Sequence, residues 1–221
     1  MSRAPATLAG LPAGIVDAWC VPLRTGAHGN ERFTDVLDAD ERAHAARRRE
    51  GAESWAVAQG ALRWILAHYL GRPPASLRFA RTVLGKPHLV GSAKLKFNLS
   101  WREDLALVAA ASDREVGVDL EQEREDTDVV ALSRDVLSPL ERAAIEHAPP
   151  GQRRAAFFAA WTRHEARRKL HGLALEDTLP ELETDSVVLV RALPVPAGFA
   201  AAIAAEGSAW RVRVRDLRDL G

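Results

Sequence analysis

The chain has 221 residues, of which 47% are hydrophobic and 27% charged, and its formal net charge at pH 7 is +0. This length allows one large domain or two of about 110 residues, and either size can bury a core. The neutral balance gives no bulk attraction to nucleic acid or to a membrane surface, so only local clusters could carry such a function. The single cysteine, Cys20, excludes an internal disulfide. With no signal-like or transmembrane apolar run in the sequence, it favours a cytoplasmic protein.

The first half of the sequence predicts a strand, two helices and then several strands. Residues 14–23 alternate roughly as a strand does, and Asp38 stands where a helix should begin. Apolar residues recur at helical spacing from about 51 to 70, and Gly71 ends that helix. Further strands are expected at 77–82, 97–100, 105–112 and 115–121, with a turn at Gly85-Lys86-Pro87 and a tight turn at 113–114.

The second half predicts helices at 129–136, from Ser138 onward, and at 152–171, the last of them ending at Gly172. Strands are expected around Leu182, at 187–193 and at 210–214, and a short helix at 200–205. Each half thus runs from a long helix through a glycine to strands. This order predicts an α+β fold of two similar halves, residues 1–112 and 113–221, that meet across a cleft suited to a ligand.

An acidic doublet in an apolar strand is the sharpest chemical signal in the sequence. Asp119 and Glu121 lie two positions apart, so their side chains share one face of the strand while Leu120 points into the core. Two carboxylates aimed at the same place repel each other unless a cation lies between them, and Mg²⁺ prefers oxygen ligands. Glu165 would supply a third carboxylate. The alternative is a solvated pair of acids at a strand end.

The long second-half helix carries Trp161, Glu165 and Lys169 at intervals of four, which places them along one stripe. A carboxylate that holds a metal would then lie one turn from an ammonium that binds phosphate. Taken alone, Glu165 and Lys169 would be an ordinary exposed ion pair. The acidic strand and the Gly-Lys-Pro turn in the same chain favour the functional interpretation.

Other common functional motifs are absent from the sequence. No second histidine follows His164 at zinc-ligand spacing, and neither a Gly-x-Ser-x-Gly nor a phosphate-binding Gly-x-x-x-x-Gly-Lys motif occurs. The basic run at 47–49 has no interleaved aromatic residues and is more typical of a solvated helix face than of a nucleic-acid site.

Four segments together resemble the 4′-phosphopantetheinyl transferases: Gly85-Lys86-Pro87, Phe97-Asn98-Leu99-Ser100, Gly117-Val118-Asp119-Leu120-Glu121 and Trp161-x-x-x-Glu165-Ala166-x-x-Lys169-x-x-Gly172. The likeness is to the long, pseudo-dimeric surfactin-synthetase type and spans most of the chain. It implies two α+β halves in a pseudo-two-fold arrangement with the cofactor in the cleft between them, and a monomer. It also implies Mg²⁺-dependent transfer of the phosphopantetheine arm of coenzyme A to a serine of an acyl or peptidyl carrier protein, with release of adenosine 3′,5′-bisphosphate.

The resemblance also implies a role for each matching residue. Asp119, Glu121 and Glu165 would hold Mg²⁺ against the pyrophosphate. Glu165 would act as the base toward the carrier serine, and Lys169 would steady the pyrophosphate. The adenosine bisphosphate end would be bound by Arg42, Lys86, Ser100 and the residue at position 101.

Three positions depart from the family pattern. Trp101 stands where the family usually has a histidine that contacts a coenzyme A phosphate, His164 replaces a lysine, and Trp55 replaces a small hydroxyl residue. An indole carries no charge, so looser binding of coenzyme A is expected. Two alternatives follow: a catalytically impaired homologue that binds coenzyme A or a carrier protein without transfer, and a Mg²⁺-dependent phosphoesterase that cleaves coenzyme A with water.

Overall fold

The computed structural model of the chain describes residues 10–24, 30–173 and 187–220, which form a mixed α/β fold. In the first half, β1 is Ile15–Pro22, α1 Glu31–Thr34, α2 Ala39–Arg47, α3 Ala52–Leu70, β2 Phe79–Arg81, β3 Pro87–Leu89, β4 Lys96–Arg102 and β5 Leu105–Ala111. In the second half, β6 is Val116–Gln122, α4 Val129–Val136, α5 Pro139–His147, α6 Pro150–His171, β7 Val188–Ala192, β8 Phe199–Glu206 and β9 Arg211–Asp216.

Two larger sheets and one hairpin hold these strands. The first sheet has the order β4-β5-β1-β9, in which β4, β5 and β1 are antiparallel neighbours and β9 runs parallel to β1. The second sheet has the order β6-β8-β7 and is antiparallel, with Asp119 opposite Ala202. Strands β2 and β3 form the hairpin. The last strand of the second half therefore lies in the sheet of the first half.

The side chains of the sheets alternate between two different cores. One face of the first sheet packs against α3, where Trp19 and Val108 meet Val57 and Ile65. Its opposite face packs against the second sheet through a separate cluster of buried residues, among them Val16, Leu107, Val118, Leu120 and Ile203. The layers therefore follow in the order α3, first sheet, second sheet, α6, because alternate residues of a strand face opposite sides.

Helix α6 lies unusually close to β6 because Gly117 has no side chain. A Cβ atom at this position would lie 2.0 Å from the carbonyl oxygen of Ala166 and 2.5 Å from the backbone nitrogen of Leu170. Neither distance is compatible with a real side chain. Gly117 thus brings the polar stripe of α6 directly beside the carboxylates of β6.

Most predicted elements are confirmed, and two helix starts have the predicted chemistry. Asp38 and Ser138 each accept a hydrogen bond from the backbone N–H of the glutamate three residues later, which completes a capping box at α2 and at α5. Gly71 and Gly172 end α3 and α6 in the left-handed conformation. No helix among the described residues is long and apolar enough to cross a membrane.

The helix predicted at 200–205 is wrong, because these residues belong to strand β8. Alanine favours helices intrinsically, but here the alanines fill the central strand of the second sheet, where α6 covers one face and the first sheet the other. Two smaller differences concern α6, which begins at Pro150, and the turn at 113–114, which joins strands of different sheets. The strand predicted around Leu182 lies outside the described residues.

Candidate functional site

Strands β4 and β6 lie side by side but are linked by side chains rather than by a backbone ladder. Asn98 Oδ1 accepts a hydrogen bond from Val118 N–H at 2.9 Å, and Ser100 Oγ accepts one from Leu120 N–H at 3.2 Å. Because β6 is the edge strand of its sheet, these two N–H groups have no strand partner on that side. The Asn-Leu-Ser motif therefore completes the hydrogen bonding of β6 and joins the two sheets.

The contact between β4 and β6 at Asn98, Ser100, Val118 and Leu120 is called the seam below. Asp119 lies at its centre and is only 1% exposed. Its Oδ1 accepts hydrogen bonds from Lys169 Nζ at 2.5 Å and from Ser100 Oγ at 3.1 Å. Lys169 Nζ also donates to Ser100 Oγ at 3.0 Å. The other carboxylate oxygen, Oδ2, is buried and has no hydrogen-bond partner. The structure thus brings Asp119, Lys169 and Ser100 together from three separate segments and leaves one carboxylate oxygen open.

Glu121, by contrast, has both carboxylate oxygens occupied. Arg102 donates from Nη2 to Oε1 at 2.6 Å and from Nε to Oε2 at 2.8 Å, and Trp161 Nε1 donates to Oε1 at 3.3 Å. These bonds raise the pKa of Arg102 above its ordinary value, chiefly through the hydrogen bonds to Glu121. A bidentate guanidinium–carboxylate pair is among the stronger polar contacts in proteins.

The third predicted carboxylate, Glu165, lies on α6 beside the other two. Burial raises the pKa of Glu165, and the charge of Asp119 raises it further. Burial also raises the pKa of Asp119, which the nearby Lys169 partly offsets and Glu121 reinforces. Arg168 Nε lies 3.4 Å from Glu165 Oε1. The three acids therefore repel one another, and each is close to a cation of the chain itself.

Carboxylate oxygens are the ligands that Mg²⁺ prefers. Asp119 Oδ2 is such an oxygen, and it has no hydrogen-bond partner that a cation would have to displace. Within the described part of the chain, however, no three histidine, cysteine, aspartate or glutamate side chains are grouped so that they could hold a metal ion as they stand. The donor set thus fits a divalent cation at Asp119. At Glu121 the fit is incomplete, because Arg102 holds both oxygens.

Lys86, predicted to bind the bisphosphate end, is buried and fully engaged within the protein. Its Nζ donates to Glu115 Oε2 at 2.7 Å, to the carbonyl oxygen of Val116 at 3.0 Å and to that of Leu170 at 2.7 Å. An ammonium has three protons, so this arrangement leaves none for a phosphate. Lys86 instead links the Gly-Lys-Pro turn to β6 and to the end of α6. The hydroxyl of Ser100 is likewise occupied, because it forms hydrogen bonds with Asp119, Leu120 N–H and Lys169.

An open pocket of about 620 Å³ lies next to the seam, between α2, α3, the β2–β3 hairpin and β4. Its walls include Trp101 and Arg81 as well as the neighbouring rings of His44 and Trp55, whose centroids are 4.6 Å apart. The guanidinium of Arg48 lies 5.1 Å from the Trp101 ring centroid. Trp101 thus lines this pocket, and its contact with a cofactor stays a prediction.

Arg42 does not line this pocket but is exposed on α2, whereas Arg47 of the same helix does line it. The two residues lie five positions apart, so they face different sides of a helix with 3.6 residues per turn. Arg42 therefore lies on a different face of α2 from the pocket-lining Arg47, and its contact with the cofactor stays a prediction.

A second open pocket of about 470 Å³ has Glu121 in its wall. Its apolar wall comes from Leu132 of α4 and from Phe157, Phe158 and Trp161 of α6, and Arg102 stands at its polar end. Asp119, Glu121 and Glu165 form the acid cluster, and of these three residues Glu121 lines this pocket.

His164 does not face the acid cluster. Its Nε2 lies 2.9 Å from Glu141 Oε2, an oxygen that also accepts hydrogen bonds from Ser138 at the start of α5. Burial alone would raise the pKa of Glu141, but the hydrogen bonds from Ser138 and His164 lower it. His164 thus fastens α5 to α6.

The sequence prediction missed Arg102 and the structural role of Asn98. Both residues share a face with Ser100, because they are two positions from it on either side in the same strand. That alternation was visible in the sequence. The partners on β6 were not, since no local rule places one strand beside another.

Comparisons with known proteins show the family to which this chain belongs. The family model of the 4′-phosphopantetheinyl transferase superfamily matches residues 115–212. The 4′-phosphopantetheinyl transferase HetI of Nostoc sp. is 31% identical over 212 residues, which cover 89% of this chain and 90% of HetI. The chain belongs to the 4′-phosphopantetheinyl transferase superfamily.

Other relatives match over smaller shares of the chain. The 4′-phosphopantetheinyl transferase AcpT of Salmonella typhimurium is 33% identical over 124 residues, 51% of this chain and 65% of AcpT. A 4′-phosphopantetheinyl transferase of Bacillus subtilis is 24% identical over 156 residues, 70% of this chain and 67% of the relative. The matched family segment contains β6 and α6, the two elements that carry Asp119, Glu121, Glu165 and Lys169.

Proposed function

We propose that this protein transfers the 4′-phosphopantetheine arm of coenzyme A to a serine of an acyl or peptidyl carrier protein and releases adenosine 3′,5′-bisphosphate. The observation that carries the proposal is the meeting of Asp119, Lys169 and Ser100 at the seam, with Glu165 beside them. Membership of the superfamily supports the class of reaction. The cluster supports the site, because its ammonium and carboxylates are the groups that binding a diphosphate and activating a serine require.

The two pockets beside the cluster suggest how coenzyme A would lie. Its nucleotide end would occupy the pocket of about 620 Å³, where Trp101 can stack on a base and where Arg47 and Arg81 can bind phosphate. Its pantetheine arm, which has polar amide and hydroxyl groups as well as apolar methyl and methylene groups, would extend toward the pocket of about 470 Å³ that Glu121 lines. The diphosphate would then lie between them, next to Lys169. Lys86 and Ser100 would support this site from within the framework.

Glu165 is proposed as the base that accepts the proton of the carrier serine. The serine oxygen forms a bond to the phosphorus next to the arm, and the bond from that phosphorus to the bridging oxygen breaks. Adenosine 3′,5′-bisphosphate leaves with this electron pair as a phosphate, which is a good leaving group. A carboxylate whose pKa is raised accepts a proton more readily at neutral pH. Lys169 would hold the diphosphate in line for this attack.

Asp119, Glu121 and Glu165 are proposed to hold Mg²⁺. When bound, this ion would neutralise charge on the diphosphate. The open Oδ2 of Asp119 supports the assignment. The proposal requires Glu121 to exchange its bonds with Arg102 for the ion.

The long, pseudo-dimeric architecture is also part of the proposal. Each half has one long helix, α3 or α6, that packs on its own sheet and ends at a left-handed glycine, which supports two similar halves divided near residue 112. Because one chain would contain both halves of the cleft, we propose that the protein acts as a monomer.

One observation favours a second candidate, a homologue that binds coenzyme A or a carrier without transfer. Each carboxylate of the cluster lies next to a cation of the chain, in the pairs Asp119–Lys169, Glu121–Arg102 and Glu165–Arg168. A site neutralised in this way could bind a ligand without needing a metal for charge balance.

Incubation of the full chain with coenzyme A, MgCl₂ and several apo-carrier proteins separates these functions. Transfer predicts a carrier whose mass rises by one phosphopantetheine arm, whereas hydrolysis would release bisphosphate with no mass change. Binding alone would give neither product. We expect Glu165→Gln to abolish transfer and Glu146→Gln, on the exposed face of α5, to leave it unchanged. Transfer by a folded Glu165→Gln at the wild-type rate would overturn the role assigned to Glu165.

A further inference from the structure

The two carboxylates of β6 differ in how much of each is free to bind a cation. Asp119 has one oxygen that is buried and unpartnered, whereas both oxygens of Glu121 accept hydrogen bonds from Arg102. The two residues lie on the same face of one strand. The difference between them therefore comes from the neighbouring strand, which places a serine beside Asp119 and an arginine beside Glu121.

Arg102 is held in a fixed position at the end of β4. Besides its two bonds to Glu121, its Nη1 donates to the carbonyl oxygen of Trp101 at 3.0 Å. The Arg102 side chain is 39% exposed and that of Glu121 15% exposed. The arginine side of the pair is thus reached by solvent, whereas the Glu121 carboxylate is mostly buried and needs another positive partner when the pair opens.

We propose that Arg102 is an internal competitor for the cation site: it closes Glu121, and a divalent cation gains this ligand only when the Arg102–Glu121 pair opens. This inference rests on the proposed function, because it takes the acid cluster as the place where a cation binds. In the protein without substrate, Arg102 affects the cation only through Glu121.

The same geometry couples the cation to the anionic substrate. A guanidinium binds phosphate oxygens as well as it binds a carboxylate, so a diphosphate beside the cluster offers Arg102 another partner. When Arg102 turns to the diphosphate, Glu121 is released for the cation. Any such coupling is reciprocal, so each ligand then improves the binding of the other. The protein without substrate would bind divalent cations weakly.

Titration of the full chain with Mn²⁺ alone, followed by electron paramagnetic resonance of the free ion, tests the competition directly. We expect Arg102→Gln to tighten Mn²⁺ binding about threefold to tenfold, a range set by a partly exposed but bidentate pair. Arg124→Gln is the matched control, because Arg124 lines the same pocket as Arg102 but forms no hydrogen bond or ion pair with Asp119, Glu121 or Glu165. It should change Mn²⁺ affinity less than twofold.

A double-mutant cycle of Arg102 and Glu121 separates competition at Glu121 from a general effect of the arginine's charge. In a Glu121→Gln background, Arg102→Gln should no longer tighten Mn²⁺ binding, because the carboxylate that it would release is gone. Equal tightening in both backgrounds would show that the arginine acts only through long-range repulsion, and the proposal would be wrong. Unchanged or weaker binding in Arg102→Gln, or no Mn²⁺ binding by any variant, would also overturn it.

Arg102→Lys provides a further variant that keeps the charge but loses the bidentate fork. Should Arg102→Gln fail to fold, tighter Mn²⁺ binding by Arg102→Lys supports the competition and unchanged binding contradicts it. Carrier modification by the wild-type chain is measured separately. Transfer without an effect of Arg102 on Mn²⁺ refutes this inference alone, whereas tightening without transfer refutes the proposed reaction and leaves the competition standing.

Discussion

The ammonium of Lys169 donates a 2.5 Å hydrogen bond to the buried carboxylate of Asp119, which lies 50 positions earlier in the chain. The two groups meet because α6 packs directly on the backbone of β6 at Gly117. Asp119 is almost fully buried, and Lys169 is the main source of positive charge for it. Stability and the proposed chemistry thus depend on the same ion pair.

Replacing Lys169 by Met should therefore destabilise the protein as well as impair transfer. Removal of one partner leaves a buried carboxylate uncompensated, and we expect the free energy of unfolding to fall by about 2–4 kcal/mol. The double variant Asp119→Asn/Lys169→Met should regain part of this loss, because its buried group is neutral. Urea unfolding at pH 7 measures both. A double variant no more stable than Lys169→Met would contradict the account.

The side chain of Asn98 is predicted to protect one particular amide. In Asn98→Ala the N–H of Val118 loses its acceptor inside the protein, which should cost about 1–3 kcal/mol. Hydrogen exchange resolved to single amides should show faster exchange at Val118 than in the wild type. Amides of β6 that pair with β8 serve as the internal control. Exchange that rises equally along all of β6 would instead indicate a general loosening of the strand.

Gly117→Ala should be strongly destabilising, because its Cβ would overlap the backbone of α6. We expect a loss of about 3 kcal/mol or more, at the upper end of the range for overpacking. Gly151→Ala is the matched control, since a Cβ at this position in the first turn of the same helix would meet nothing within 4 Å apart from its chain neighbours and the adjacent helix backbone. That change should be neutral or slightly stabilising. Thermal unfolding followed by circular dichroism compares the two.

The stability contributed by Glu115 should depend on pH in a defined direction. Burial would raise the pKa of Glu115, but hydrogen bonds from Lys86 and Lys96 outweigh it and lower the pKa below the ordinary 4.5. As pH falls below 4.5, the unfolded chain takes up this proton before the folded protein does, so stability decreases. The stability that ionised Glu115 contributes is fully present above pH 4.5, and it is lost as pH falls through the lower pKa that Glu115 has in the folded protein.

Glu115→Gln should accordingly be less stable than the wild type by about 1–2 kcal/mol at pH 7, because Lys86 loses a charged partner. The difference should shrink as pH is lowered from 5 toward 3, about the range set by carboxylate titration. Urea unfolding across this range measures it, with Glu50→Gln on the exposed surface as control. A difference that stays constant down to pH 3 would show that the lost interaction is not ionic.

Trp101→His should tighten the binding of coenzyme A. An imidazolium can pair with a phosphate, whereas the indole carries no charge. Histidine has an ordinary pKa of about 6.5, so the gain should be about threefold or more at pH 6 and smaller at pH 8. Isothermal titration calorimetry compares this variant with Trp101→Phe, which keeps an aromatic ring and adds no charge. No tightening at either pH would contradict the role given to Trp101.

Sequence patterns predicted those parts of the fold whose causes are local. The capping boxes at Asp38 and Ser138, the helical spacing of α3 and the glycines that end α3 and α6 each involve residues within a few positions of one another. The helix predicted at 200–205 was wrong because the cause of its structure is not local. Its alanines favour a helix alone, and only packing between α6 and the first sheet makes them a strand.

The amino-acid sequence by itself determined that Asp119 and Glu121 share a face and that Glu165 and Lys169 share a stripe, because the repeats of strand and helix are properties of the local backbone. Only the tertiary structure decided which cation each acid meets: Lys169 for Asp119 and Arg102 for Glu121. The tertiary structure also decided that Lys86 donates its hydrogen bonds to groups within the protein, among them the carbonyl oxygen of Leu170. Such pairings depend on how separate elements pack, and no pattern within one element encodes that.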